Sequence, residues 1–137
     1  MSQLSIIGRI EPISILDLEL FDLDAKIDTG AYSNSLHCDD ITVEDGFVTF
    51  RLLDKVHPSY HNKKIKIPLY QEKRVKSSNG IIQKRAFIQV NVKFANKIYK
   101  TVISLTSRAD MKYPMLIGRK FLKNRFLVDV SKKNLSK

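Results

Sequence analysis

Ala25-Lys26-Ile27-Asp28-Thr29-Gly30-Ala31 is an apolar strand pattern that runs straight into an acid, a hydroxyl and a glycine. Glycine lets the backbone turn tightly and bring amide groups close to the preceding carboxylate. The threonine hydroxyl is placed to brace a neighbouring loop. Taken alone, the triplet Asp28-Thr29-Gly30 also fits an ordinary strand-to-turn ending. Its meaning changes with a second stretch, Tyr113-Pro114-Met115-Leu116-Ile117-Gly118-Arg119-Lys120-Phe121-Leu122. There a short apolar run ends in a glycine and is followed by a helical turn opened by an arginine. The pair is far more specific than either half.

Outward from these two stretches the chain reads as strand almost everywhere. Residues 6–10, 13–20, 23–27, 47–53, 65–70, 86–94 and 98–105 are short runs rich in β-branched or aromatic side chains, often alternating with polar ones. Such spacing predicts a mostly β protein, a sandwich or a barrel. Asn79-Gly80 lies between two strand-like runs, a turn signal that predicts a projecting hairpin. Helical spacing occurs once, over 119–124, before 126–130 resumes a strand pattern. With no repeat, no low-complexity tract and no linker, residues 1–137 read as a single domain, long enough to bury a modest core without staples.

Charge is unevenly placed. The chain carries a net charge of +10, yet residues 1–40 hold −6 and residues 63–100 hold +10. A basic middle attracts anionic partners such as an acidic polypeptide, or serves as a solvated lysine-rich face. Cys38 is the sole cysteine, so an intramolecular disulfide is excluded and a reducing compartment fits. The apolar runs are only a few residues long and no signal peptide is read at the N-terminus, which predicts a soluble, cytoplasmic protein without a membrane partner.

The two stretches together resemble the retropepsin-like peptidases known as ATP-dependent zinc proteases, which are encoded beside or fused to ATP-grasp glutamate ligases. The resemblance spans most of the chain. It rests on 25–31 followed by Ser35-Leu36-His37, on Arg74-Val75-Lys76-Ser77-Ser78-Asn79-Gly80, on 108–119, and on Phe126-Leu127-Val128-Asp129. It implies a closed or nearly closed retropepsin-like β barrel with one short helix after Gly118. It also implies an aspartic endopeptidase in which Asp28 is catalytic and Thr29 and Gly30 support it. Ala31, Ser78, Asn79, Gly80, Ile117 and Gly118 would then face the substrate, and Arg119 would brace the loop. Neither Asp110-Met111 nor Asp129-Val130 is followed by Thr-Gly, so a conventional pair of aspartates requires a homodimer. Two carboxylates a few ångströms apart share a proton, one acting as base toward water and the other as acid toward the scissile carbonyl. One departure stands out: viral retropepsins place an acidic residue after Asp-Thr-Gly-Ala to hold the helix arginine, and this chain has Tyr32.

Other chemistries find less in the residues. His37, Cys38, His57 and His61 form no recognisable zinc spacing, and no His-Glu-x-x-His helix exists. Five glycines form no phosphate-binding loop, so the reading calls for no cofactor, and any ATP link passes through a partner ligase. Ser33, Ser35 and the histidines form no nucleophile elbow. The lysine-rich segments lack stacking aromatics, which argues against nucleic acid. The alternative to a peptidase is a catalytically weak or inactive barrel that binds acidic peptides or proteins through its basic face.

Overall fold

Alternation builds the first layer. The structure, a computed structural model, describes residues 4–52, 62–76, 80–107 and 112–136. Strands β1 (Ser5–Ile7), β2 (Ile10–Ile15) and β3 (Leu20–Ile27) precede β4 (Asn34–His37), β5 (Asp39–Glu44), β6 (Phe47–Arg51) and β7 (Lys64–Pro68). Then come β8 (Gln71–Lys76), β9 (Ile82–Phe94), β10 (Lys97–Thr106), β11 (Met115–Ile117), helix α1 (Arg119–Leu122) and β12 (Phe126–Val128). In β3 the side chains of Leu23, Ala25 and Ile27 point into the core while Asp24 and Lys26 face out, a period of two. The alternation slips at Asp22, whose positive φ of 53° and amide bond to Ser14 Oγ mark a bulge against β2.

Six strands close on themselves in the order β10, β4, β11, β3, β2, β9 and back to β10, giving the expected mostly β, retropepsin-like barrel with one short helix. Closure removes the open sheet edges that invite aggregation. Inside lie Ile13, Leu23, Leu36, Ile88, Ile103 and Met115, each 1% exposed or less. Under α1 the rings of Phe94, Phe121 and Phe126 meet, Phe94 edge-on to the other two at 5.7 and 5.2 Å. Burying each ring contributes roughly 2–3 kcal/mol.

β11 is the strand that positions the site. It runs parallel to β3, Ile117 beside Ile27, and antiparallel to β4, Met115 beside Leu36. The chain from β3 to β4 must therefore cross the end of β11. Outside the barrel, β8 extends β9 as an antiparallel hairpin from Gln71↔Phe87 to Lys76↔Ile82. β5, β6 and β7 form a separate sheet whose Val48 and Phe50 join the core.

Several expected strands differ in outline, among them 65–70, which stops at Pro68. Residues 6–10 break at Gly8, where backbone of Lys132 and Lys133 lies too close for any side chain. Residues 13–20 break at a 3-10 turn, Leu16–Leu18, closed by Glu19 at φ 55°. Residues 126–130 stop at Val128, after which the tail folds back along β1 and β2. Glu11 anchors that tail. Its fully buried carboxylate accepts hydrogen bonds from the amides of Gly8, Leu135 and Ser136 and from the Ser136 hydroxyl. Burial raises the pKa of this carboxyl, but the hydrogen bonds together outweigh it and hold the group below its ordinary value of 4.5.

Candidate active site

Three backbone contacts shape the loop that follows β3. The Asp28 amide donates to the Ile117 carbonyl (2.9 Å), and the Ala31 amide to the Asp28 carbonyl (3.1 Å). The Gly30 amide donates to Asp28 Oδ1 (3.0 Å). Gly30 eases that last approach, since a Cβ there would stand 3.3 Å from Oδ1, close enough to press on the carboxylate. Asp28 and Ala31 are half-buried, while Thr29 and Gly30 are exposed. The result is a carboxylate on a tight perch, open to an incoming group.

Gly118 lies where the chain crosses. A Cβ there would meet the Tyr32 carbonyl and Ser33 oxygen at 2.7 Å, both backbone. Its amide donates to Asn34 Oδ1 (3.0 Å), and Ile117 just before it is fully buried. Arg119 then donates to the Gly30 carbonyl (3.1 Å), and its guanidinium sits 5.5 Å from the centre of the Tyr32 ring. Lys120 lies over the same ring at 5.8 Å. Tyr32 thus meets the arginine through its π face, where an acidic residue would have met it by charge. The amides of Arg119 and Lys120 also bond the carbonyls of Ala31 and Tyr32 (2.9 and 3.0 Å), which rivets the loop to α1.

The structure brings Asp28, Thr29, Gly30, Ala31, Ile117, Gly118 and Arg119 together. Ser78 and Asn79 lie outside the described residues, while Gly80, at φ 85°, ends the tip of the β8–β9 hairpin. One hollow borders the loop and a second lies along the hairpin. One, about 480 Å³, is mostly apolar and runs from Thr29 and Tyr32 past Leu122 to Leu127 and Val128. The other, about 760 Å³, lies between the hairpin, the middle of β5 and the end of β10, with Lys84, Arg85, Glu72, Thr106 and Ser107 on its walls. Asn34 was not legible as a site residue in the sequence. A polar residue in Tyr32-Ser33-Asn34-Ser35 looks like loop, and only its threading beside β11 buries it to 2% exposure.

The described residues do not fit a zinc centre. Among the described residues no three of His, Cys, Asp and Glu gather to hold an ion. Burial, with the Asp39 charge second, pushes the Cys38 thiol up to about 12, which disfavours the thiolate that zinc requires. His57 and His61 lie outside the described residues. No helix among the described residues is long and apolar enough to cross a membrane.

A closed barrel whose β3 leads into Asp-Thr-Gly, with β11 threaded beside it and followed by a glycine, defines a protein of the aspartic-peptidase-like fold. The sequence model of the retropepsin-like aspartic endopeptidase RimB matches residues 6–137, and the chain belongs to that RimB-like family. Its relatives include a probable alpha-L-glutamate ligase of Shewanella halifaxensis, 31% identical over 92% of this chain, and one of Parasynechococcus marenigrum, 29% identical over 94%. The chain spans only 28% of the length of either relative. Among solved structures it is similar to the Legionella pneumophila protein Lpg0085, of unknown function, with a TM-score of 0.75 and 28% identity over 97% of this chain and 98% of that one.

Proposed function

We propose that residues 1–137 form one domain and one subunit of a cytoplasmic, homodimeric aspartic endopeptidase, with Asp28 of each subunit supplying one carboxylate of the dyad. The observation that carries this reading is the perch itself. Asp28 is held through its own amide, its carbonyl and one carboxylate oxygen, and is left half-open beside an exposed Thr29. A second subunit is seated by the apolar hollow next to Thr29, where Tyr32 and Leu127 are more than half exposed. In the mechanism the ionised carboxylate takes a proton from water as the hydroxide adds to the peptide carbonyl carbon. The protonated carboxyl gives its proton to the carbonyl oxygen. Collapse of the tetrahedral intermediate breaks the C–N bond, and the leaving nitrogen receives a proton from the dyad. Thr29 and Gly30 support the loop. Ala31 and Gly80 border the substrate path, while the buried Ile117 and Gly118 back the loop from beneath, with Arg119 as the brace.

The substrate we infer is an acidic peptide or protein segment. Lys73, Arg74, Lys76 and Lys84 stand exposed on the hairpin. The glutamate-ligase names of the longer relatives favour a functional link to an ATP-grasp ligase. The same charges favour the second reading, an inactive barrel that merely binds such segments. One experiment separates them. Asp28→Asn preserves volume and removes the group that activates water, so cleavage should vanish while acidic-peptide binding persists. Statine inhibitors should block the parent, and chelators should not. Full cleavage by Asp28→Asn overturns the aspartic mechanism.

A further inference from the structure

One buried polar side chain reaches from the barrel wall to the candidate catalytic loop. Asn34, on β4, is 2% exposed. Its Nδ2 donates to Thr101 Oγ1 on β10 (3.2 Å), and its Oδ1 accepts the Gly118 amide (3.0 Å). The amide orientation is fixed by chemistry, since a backbone N–H can only donate and must face the oxygen. The Gly118 nitrogen belongs to the same peptide group as the Ile117 carbonyl, and that carbonyl accepts the Asp28 amide (2.9 Å). The dipoles therefore run head to tail: Asp28 N–H to the 117–118 peptide, that peptide to the Asn34 amide, and the Asn34 amide to the Thr101 hydroxyl. Aligned hydrogen bonds in a buried setting polarise and strengthen one another.

We propose that Asn34 is the positioning residue for Asp28, acting through the peptide group that joins Ile117 to Gly118. The inference deepens the peptidase reading and rests on it for the word catalytic, but its geometry does not depend on cleavage. Asn34 is itself held in place. Its carbonyl accepts the Ser104 hydroxyl (3.1 Å), which also pairs with Ser35 Oγ (2.8 Å). Losing Oδ1 would leave the Gly118 amide buried without its partner and free the 117–118 peptide to tilt. Asp28 would tilt with it.

The test uses the whole chain and two readouts. In Asn34→Leu, native-state hydrogen exchange at the Gly118 and Asp28 amides should quicken by about tenfold or more relative to β9 amides such as Val90. With a cleavable acidic peptide, kcat should fall about tenfold while KM stays within about twofold, since the reacting group is displaced and the substrate surface is not. Unchanged exchange at Asp28, or a loss confined to KM, overturns the proposal. If Asn34→Leu does not fold, Thr101→Val removes only the far end of the chain and should quicken Asp28 exchange by roughly threefold. No change there overturns the proposal equally. If Asp28→Asn cleaves as fast as the parent, the peptidase reading has failed, and the exchange result alone decides the role of Asn34.

Discussion

Gly118→Ala is a small change with a large expected cost. Gly118 has φ −92° and ψ 171°, extended backbone that alanine adopts without strain. Conformational entropy alone would make the substitution stabilising by about 0.4–1 kcal/mol. Sterics decide otherwise. The added Cβ would stand 2.7 Å from three backbone atoms of Tyr32 and Ser33, where ordinary van der Waals contact begins at 3.4 Å. Backbone cannot move aside by changing rotamer, and these residues are tied to α1 through the Tyr32 carbonyl's bond to the Lys120 amide. Overpacking costs roughly 1–3 kcal/mol, and weakening the buried bond from Gly118 to Asn34 adds about 1 kcal/mol, so we expect a net loss of roughly 2–3 kcal/mol. Urea titration should show the loss as a lower midpoint with an unchanged slope. An alanine variant as stable as the parent would refute the threaded-loop geometry.

The Glu11 carboxyl is held below its ordinary value of 4.5 in the fold, so its stabilisation is full above that value and fades as pH falls through the folded pKa. Acid titration should therefore cost the parent more stability below pH 4.5 than it costs Glu11→Gln, which is the weaker of the two at neutral pH; parallel curves would count against the latch. Cys38, buried and pushed up to about 12, should resist alkylation at pH 8 until the protein unfolds, and rapid native labelling would contradict its burial. Cleavage of a Glu-rich peptide should exceed that of a neutral one at low salt and lose the advantage once the Debye length falls below about 8 Å, with Lys73→Glu plus Lys76→Glu abolishing it. Equal handling of both peptides at every salt concentration would remove the acidic-substrate proposal.

What the sequence reveals here is what its chemistry keeps local. Asp28-Thr29-Gly30 and Ile117-Gly118-Arg119 are contiguous, and β11 joins them in space as their shared pattern implies. β4 and β5 are not legible, because Asn34-Ser35-Leu36-His37 owes its strand character to insertion between β10 and β11 and shows no apolar period of its own. Asp45-Gly46, with φ values of 52° and 79°, turns β5 into β6 and was a usable hairpin signal. β8 is too polar to stand out as a strand by its own period, and the Asn79-Gly80 signal for a hairpin is what marks its place beside β9. Residues 13–20 alternate well enough to hide the turn at Leu16–Leu18. Glu11 looks like a surface acid between Ile10 and Pro12, since two of its three donor residues, Leu135 and Ser136, come from the far end of the chain.

The central claim is that two chains share one dyad, and subunit mixing tests it most directly. A fixed amount of parent protein is refolded with increasing Asp28→Asn chain, and cleavage per parent chain is measured. Each mixed dimer would hold a single carboxylate, so at equal amounts random pairing should lower that activity to about half, and excess variant should drive it toward zero. Activity per parent chain that stays constant at every ratio would contradict a dyad built across two subunits.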